Sequence, residues 1–328
     1  MDIPDRGDIK KVDSLKISGL YYLKQSKVPY CREKGGSMKK IIIPFHTLIF
    51  TALTLCFTLC SAQQQEVQPV QFKEISARLY EVIGGQGARG GVYIGDNAVL
   101  VIDAKMDKNS VDQVLEGIKK ITDKPIRYLV NTHSDADHIR GNQYFPPDIL
   151  VIAHENCRKD FFLPDSAGNP SEWNKPELAP FIPSITFPEK MDIYIGSKKA
   201  ELWYFGVGHT TGDIVVYFPE EKTAFIGDQV MISRPQYIHS YKGGNSFGHV
   251  ENLTKMLATI DAEKFCSGHD DMIGREDILD HISEMEERQE KVRDCVNKGL
   301  TVQDTQKTFP ENEARLIDII FHEITLKQ

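Results

Sequence analysis

The stretch of sequence that decides the fold is residues 131–143, which read Asn-Thr-His-Ser-Asp-Ala-Asp-His-Ile-Arg-Gly-Asn-Gln. Four side chains that can bind a metal fall within six residues of this stretch: His133, Asp135, Asp137 and His138. The preceding residues 126–130 are apolar and rich in β-formers, which predicts a buried strand. The four side chains therefore follow the end of a strand, where open α/β sheets bind ligands. Imidazole mixed with carboxylate favours zinc, iron or manganese over calcium.

Three further strand-like runs downstream also end in an isolated histidine or aspartate. Residues 208–213 read Gly-His-Thr-Thr-Gly-Asp, residues 225–228 read Phe-Ile-Gly-Asp, and residues 267–270 read Ser-Gly-His-Asp. The side chains of ligand type in these runs are His209, Asp228 and His269. A single polar turn would explain the first motif alone, but its repetition at strand ends predicts a metal site.

This order of motifs resembles the metallo-β-lactamase fold superfamily over roughly residues 72–275. The resemblance implies an α/β fold, an αββα four-layer sandwich with C-terminal helices. It implies one domain at 72–275, with 276–328 as a helical extension packed on it. One position departs from the family, because its usual string is His-x-His-x-Asp-His and the second histidine is Asp135 here.

Carried over position by position, the resemblance implies a site for two metal ions. One ion is expected to take His133, Asp135 and His209, the other Asp137, His138 and His269, with Asp228 bridging them. A histidine ligand usually donates its second ring N–H to a carboxylate or a carbonyl. Three aspartates near the motifs are candidates for that support: Asp103, Asp213 and Asp270.

The expected cofactors are two divalent ions, zinc first, with iron or manganese possible because Asp135 is a harder ligand than imidazole. A divalent ion lowers the pKa of bound water to about 7, which supplies hydroxide at neutral pH. The predicted reaction is hydrolysis of an ester, thioester, amide or lactam, or phosphoester bond. Asp137 is expected to orient and deprotonate the nucleophile as well as to bind metal.

Three alternatives remain open. β-Lactam hydrolysis fits an exported metallo-hydrolase, but lactamases of one group carry Cys in place of Asp228 and a Lys soon after it, whereas the next lysine here is Lys242. Diiron flavoproteins of the same fold carry Glu in place of Asp135, but the chain leaves no length for their flavodoxin domain. A binding module that lost activity through Asp135 is the non-enzymatic alternative.

Two irregular segments are candidates for the walls of a substrate cleft. Residues 161–190 are rich in proline, and a surface-packed insertion explains them equally well. Residues 231–249 are rich in glycine and contain five possible substrate contacts: Arg234, Tyr237, His239, Tyr241 and Lys242. His154 and Cys266 lie near strand ends, but packing explains each of them better than metal binding does.

Periodicity and caps outline the remaining elements. A helix is predicted after a cap at Asn109 or Ser110, with a core stripe at Val111, Val114, Leu115, Ile118 and Ile121. Further helices are predicted at 250–260 and from residue 276 onward. Further strands are predicted at 79–83, 91–94, 98–102, 149–153, 200–205, 214–218 and 223–226.

The N-terminal region predicts export. Residues 38–62 combine a basic pair, an apolar run and a small-residue end, which is typical of a signal peptide cleaved after Ala62. Residues 1–37 are interpreted as a mis-called upstream extension, and the mature protein as periplasmic or secreted. A lipoprotein anchored through Cys60 is disfavoured because Leu59 is bulky, and no stable membrane insertion is expected after cleavage.

Charge and cysteine content limit the partners. The net charge is −8 and the sequence has no long basic run, so nucleic acid is not expected as a partner. A small-molecule substrate is expected instead. The predicted mature chain keeps three cysteines, Cys157, Cys266 and Cys295. Because the number is odd, no disulfide framework is implied.

Overall fold

The computed structural model describes residues 67–165 and 167–326. The predicted extension 1–37, the predicted signal peptide 38–62 and Cys60 lie outside the described residues. Among the residues that are described, no helix has the length and apolar character needed to cross a membrane.

Seven strands form the first sheet, and they neighbour each other in chain order. They are β1 (Gln71–Glu74), β2 (Leu79–Ile83), β3 (Gly90–Ile94), β4 (Val99–Ile102), β5 (Ile126–Val130), β6 (Leu150–His154) and β7 (Ile185–Phe187). Strands β1 to β4 pair antiparallel, whereas β4 to β7 pair parallel. The carboxyl ends of β4 to β7 therefore meet at one edge.

Five strands form the second sheet, in the order β12-β11-β10-β9-β8. They are β8 (Lys190–Ile195), β9 (Lys198–Tyr204), β10 (Ile214–Phe218), β11 (Thr223–Gly227) and β12 (Lys264–Ser267). Strands β11 and β12 pair parallel, and the other pairs are antiparallel. Strands β9, β11 and β12 therefore run in the same direction and end at the same edge.

Seven α-helices connect and cover the sheets in the described part of the chain. They are α1 (Lys108–Ile121), α2 (Ala136–Ile139), α3 (Glu155–Asp160), α4 (Ser246–Thr259), α5 (Arg275–Asn297), α6 (Val302–Gln306) and α7 (Ala314–Thr325). Short 3-10 helices lie at Arg140–Tyr144, Glu172–Asn174, Pro176–Phe181, Ser240–Lys242 and Glu311–Glu313.

The clusters of buried side chains show that these elements form four layers. Side chains of the two sheets meet in a shared core, with Leu100 from the first sheet and Leu202 from the second both fully buried. Helix α1 packs Val111, Val114 and Ile118 on the outer face of the first sheet. Helices α4, α5 and α7 pack on the outer face of the second sheet. The predicted αββα sandwich with C-terminal helices is confirmed, and α5 and α7 belong to its outer layer.

Some local predictions were wrong. Asp107, and not Asn109 or Ser110, caps α1, because its Oδ1 accepts from the amide of Ser110 at 2.8 Å. Ile121, at the end of α1, is 38% exposed and not part of the core. Strands β1, β7 and β8 were not predicted. Strand β1 is mostly exposed and polar, and β7 is three residues long, so their pairing depends on neighbours that periodicity does not reveal.

Candidate metal centre

The seven predicted ligands come together where strands of both sheets end. The first cluster is His133, Asp135 and His209, and the second cluster is Asp137, His138 and His269. The candidate ligand atoms in each cluster lie within 4.8 Å of one another, and Asp228 lies within the same distance of the first cluster. Strand β5 delivers the 133–138 string, while His209, Asp228 and His269 follow β9, β11 and β12.

Two glycines allow the close approach of these strand ends. A Cβ on Gly268 would collide with the carboxylate of Asp228 and the ring of His138. Gly227 has a φ of 54°, and a Cβ there would lie 2.6 Å from Thr132 Oγ1. A larger residue at either position would push the strand ends apart, so the glycines of both motifs serve the site through space and backbone conformation.

In the second cluster, imidazoles and carboxylates face each other directly. Asp137 Oδ2 lies 3.2 Å from His269 Nε2. Both oxygens of Asp228 face this cluster, with Oδ1 3.1 Å from His138 Nε2 and Oδ2 3.1 Å from His269 Nε2. The distance from Asp228 Oδ2 to His133 Nε2 is longer, at 4.0 Å. Asp228 therefore lies between the clusters and closer to the second.

One of the three predicted supporting aspartates orients an imidazole. Asp103 Oδ2 lies 2.7 Å from His138 Nδ1, and this carboxylate also accepts from the amide and hydroxyl of Thr132. The fixed Nδ1 leaves His138 Nε2 directed at the site.

The predicted roles of Asp213 and Asp270 are corrected, because both carboxylates brace the backbone instead. Asp213 accepts from the amide of Thr210 at 2.8 Å, and Asp270 accepts from the amide of Ile232 at 2.9 Å. A carbonyl supports the ring of His209 in their place, because His209 Nδ1 lies 2.7 Å from the carbonyl oxygen of Tyr237.

Asp135 in the first cluster has partners that the motif spacing did not predict. Its Oδ2 lies 3.0 Å from His209 Nε2, 2.9 Å from His239 Nε2 and 3.5 Å from His133 Nε2. Its Oδ1 lies 2.7 Å from Lys242 Nζ, whose side chain is only 8% exposed. His239 and Lys242, predicted as substrate contacts, are therefore bound to a candidate metal ligand. The one signal of these partners in the sequence is the carboxylate of Asp135 in place of an imidazole, because a buried extra charge needs a cation nearby.

The electrostatics of the metal-free site raise the pKa of His209 and of His269, so both imidazoles hold protons at neutral pH. Burial lowers the pKa of His209, but the hydrogen bond and charge of Asp135 outweigh it and raise the pKa to about 9. Burial likewise lowers the pKa of His269, and Asp137 and Asp228 outweigh it and raise the pKa to about 9. Burial raises the pKa of Asp135, yet the surrounding imidazoles hold it well below its usual value. A metal must therefore displace protons when it binds.

Unsatisfied buried atoms support a fit to metal ions. His133 Nε2, His138 Nε2 and Asp228 Oδ1 are buried without a hydrogen-bond partner. The last two are 3.1 Å apart but lack hydrogen-bond alignment. Leaving buried polar atoms unpaired costs about 1–3 kcal/mol each, and cations bound at the two clusters would satisfy all three. The imidazole and carboxylate donors of the two clusters suit divalent ions such as zinc.

Two cavities open at the clusters. One has a volume of about 520 Å³, and its lining includes Asp135, Asp137 and Trp173. The other has a volume of about 310 Å³, and its lining includes Arg234 and His269. The 161–182 region packs Phe161 and Trp173 in a small core with Ile139, Ala153 and Cys157, and it lines the larger cavity. The cleft-wall interpretation of this segment is therefore favoured over a surface-packed insertion.

The five predicted substrate contacts divide between the cavities. Arg234 and Tyr237 line the smaller cavity, Tyr241 and Lys242 line the larger one, and His239 lines both. Arg234 and Tyr241 are exposed and free to meet a ligand.

The two other possible ligands have structural roles, as expected. His154 Nε2 contacts the carbonyl of Pro188 at 2.9 Å, its Nδ1 accepts from Asn156, and its ring stacks on Tyr204. Cys266 is buried in the core between the sheets. Cys157, Cys266 and Cys295 are all unpaired.

An αββα sandwich with two adjacent His/Asp clusters at its strand ends is the arrangement of a metal-binding protein that the sequence motifs implied. A family model described as the metallo-beta-lactamase superfamily matches residues 90–269, more than half of the 328 residues. The chain belongs to this superfamily, as its motifs predicted.

Two curated relatives match this chain to different extents. A protein named metallo-beta-lactamase type 2 from Elizabethkingia meningoseptica is 25% identical over 251 residues, which cover 72% of this chain and 94% of the relative. The subunit alpha of 2,4-dinitroanisole O-demethylase from a Nocardioides strain is 26% identical over 141 residues, or 42% of this chain and 39% of that protein. The relatives therefore support membership of the superfamily, but they do not agree on one activity.

Solved structures show the same fold. A metallo-beta-lactamase from Pontibacter korlensis has a TM-score of 0.55 at 17% identity and covers 66% of this chain and 99% of that one. The metallo-beta-lactamase FIM-1 from Pseudomonas aeruginosa, in a mono-zinc form, has a TM-score of 0.55 at 20% identity and covers 68% and 98%. At these identities the likeness establishes the architecture alone.

Proposed function

We propose that the protein is an exported metal-dependent hydrolase that cleaves an ester, thioester, amide or lactam, or phosphoester bond in a small-molecule substrate. One observation carries the proposal: two clusters of imidazoles and carboxylates lie side by side, with Asp228 between them, at the floor of two cavities. Bound divalent ions supply a water nucleophile of pKa about 7 and polarise the bond to be cleaved.

Asp137 is the residue proposed to take the proton of the nucleophile. Its side chain is 29% exposed and lines both cavities. Burial raises its pKa, but the hydrogen bond from His269 and the charge of His138 outweigh burial, and the pKa lies below its usual value. The carboxylate is therefore ionised at neutral pH and can orient water and accept its proton.

The cavities favour a substrate with an anionic group and an apolar part. Arg234 is exposed on the wall of the smaller cavity, which His269 and Asp228 also line, and it can bind a carboxylate or phosphate. Leu163 lines the larger cavity and is 38% exposed, so it offers an apolar surface there.

β-Lactam hydrolysis is the second candidate. The relatives named metallo-beta-lactamase type 2, from Elizabethkingia meningoseptica and Bacteroides fragilis, each match 72% of this chain. Arg234 provides a cation near the site, where the sequence lacks an early lysine and Lys242 is buried against Asp135. A β-lactam carries a carboxylate that Arg234 could bind.

The test combines metal analysis with a substrate panel. Purified protein is analysed for zinc, iron and manganese, then assayed with lactam, thioester, lactone and phosphodiester substrates. We expect about two ions per chain, with zinc first, and turnover that a chelator removes and the metal restores. Two iron ions would favour oxygen chemistry. A metal-loaded protein that leaves the whole panel intact would overturn the hydrolase proposal.

Export is a separate part of the proposal and rests on the composition of residues 38–62. N-terminal sequencing of the protein from fractionated cells tests it. A chain in the periplasm or medium that begins after Ala62 supports export, whereas a cytoplasmic chain that retains this segment contradicts it.

A further inference from the structure

The environment of Asp135 is richer than a single metal ligand requires. Three imidazole nitrogens surround its Oδ2, those of His239, His209 and His133, at 2.9, 3.0 and 3.5 Å. Ligand atoms about 2.0–2.1 Å from a tetrahedral zinc lie about 3.3 Å from each other. The three distances to Oδ2 are close to that value, which suits donors to one ion, and His239 is a donor that the motifs did not provide.

Lys242 fixes the opposite side of the same carboxylate. Its Nζ lies 2.7 Å from Asp135 Oδ1 and also donates to the carbonyl of Ser134 at 2.9 Å and its hydroxyl at 3.1 Å. The lysine is buried, so its charge offsets that of Asp135 locally. The pair has the net charge of a neutral imidazole, and Oδ2 remains directed at the three histidines.

The backbone ties His239 directly to an expected ligand. The amide of His239 donates to the carbonyl of His209 at 2.8 Å. The 3-10 helix Ser240–Lys242 follows at once, so one short segment delivers both His239 and Lys242 to Asp135. The contact to Asp135 identifies Nε2 as the ring atom of His239 that faces the site, while its Nδ1 is buried without a hydrogen-bond partner.

We propose that His239 is an additional metal ligand, and that the first ion is held by His133, His209, His239 and Asp135, with Lys242 as the anchor of Asp135. Four protein ligands close a zinc site, whereas a catalytic site keeps an open position. The open position then lies at the second cluster, toward which Asp228 already directs both oxygens. This inference rests on the metal-binding part of the proposed function.

The test measures metal affinity and not turnover. Zinc affinity of the full chain is measured by chelator competition for wild type, His239→Ala and a matched control, His322→Ala, whose histidine is exposed on α7. We expect His239→Ala to weaken one of two sites by more than about 100-fold, beyond the 10–100-fold that loss of an outer partner costs. The control should retain both sites. A smaller loss in a folded His239→Ala protein would overturn the inference.

A measurement on wild type covers the case in which the variant does not fold. Long-range ¹H–¹⁵N correlation spectra report which imidazole nitrogens bind zinc as it is added. Five zinc-bound imidazoles are expected, from His133, His138, His209, His239 and His269, and four would overturn the inference. If wild type binds no metal, the proposed function itself fails, so the two failures are distinguishable.

Discussion

The two clusters of the candidate site differ in how they are built. In the second cluster each residue has the type that the family motif expects, and Asp137 and His269 are partly exposed to the cavities. In the first cluster His133 and His209 are buried, and Asp135 replaces the expected histidine. The replacement is accompanied by Lys242 and His239, more than a hundred residues away in sequence. A departure at one ligand position therefore has to be judged with its spatial neighbours and not from the motif alone.

The largest expected effect distinguishes the second cluster, which contains the proposed base Asp137, from the first cluster, which we propose is closed by four protein ligands. Asp137→Asn should lower turnover of any accepted substrate by about 10²–10⁴-fold, because the base is lost. The first cluster should keep its metal. Steady-state kinetics and metal analysis of the same sample check both statements. Asp112→Asn, on the exposed face of α1, serves as the control and should retain turnover. Unchanged turnover in Asp137→Asn would remove this residue from the mechanism.

Lys242→Met tests whether the first cluster depends on its buried cation. Asp135 would lose its closest cation and keep only histidine partners, of which His209 is protonated at neutral pH in the metal-free protein. Metal-free protein should therefore lose about 1–3 kcal/mol in its free energy of unfolding. Denaturant unfolding in the presence of chelator measures this loss. The double variant Asp135→Asn with Lys242→Met should recover most of it, since both charges are then removed.

The control for that comparison is a lysine at the surface. Lys255→Met breaks an exposed ion pair with Glu251 within α4 and should cost no more than about 0.5 kcal/mol. A Lys242→Met protein as stable as this control would show that the first cluster does not need the pair.

Asp103→Asn tests the second cluster through its outer support. The variant weakens the contact to His138 Nδ1 and should lower metal affinity at that cluster by about 10–100-fold. The first cluster has no ligand that contacts Asp103 directly in the described residues, so its affinity is an internal control. Chelator competition resolves the two sites, and an equal loss at both would contradict the separation.

The smallest effect is a pH dependence that the clusters share. His209 and His269, one from each cluster, have pKa values raised to about 9 in the metal-free protein. Below pH 9 a metal displaces a proton from each, so affinity at the first cluster should fall about tenfold per pH unit on acidification. The fall should be steeper at the second cluster, because burial lowers the pKa of His138 but Asp228 and Asp103 outweigh burial and hold it well above its usual value. Above pH 9 the dependence at the first cluster should level off. Calorimetry in buffers of different ionisation enthalpy counts the released protons, and a count of zero would contradict the prediction.

The sequence was sufficient where the signal is local. The strand at 126–130 matches β5, and the strand at 214–218 matches β10. The candidate ligands follow strand ends, and because parallel strands end at one edge, a local pattern predicted their proximity. The cap of α1 and the edge strands β1 and β7 were missed, since a nearby carboxylate or a neighbouring strand decided them.

The amino-acid sequence by itself identified the superfamily through its motifs, because each motif is a short segment whose residues are visible without the fold. The resemblance then implied the sandwich and the seven side chains expected to bind metal. Only the tertiary structure decided that Asp103 supports His138 while Asp213 and Asp270 brace backbone amides. It alone placed Lys242 and His239 on Asp135. The physical reason is that charge compensation acts over a few ångströms in space, and packing of the two sheets sets which distant residues come within that range.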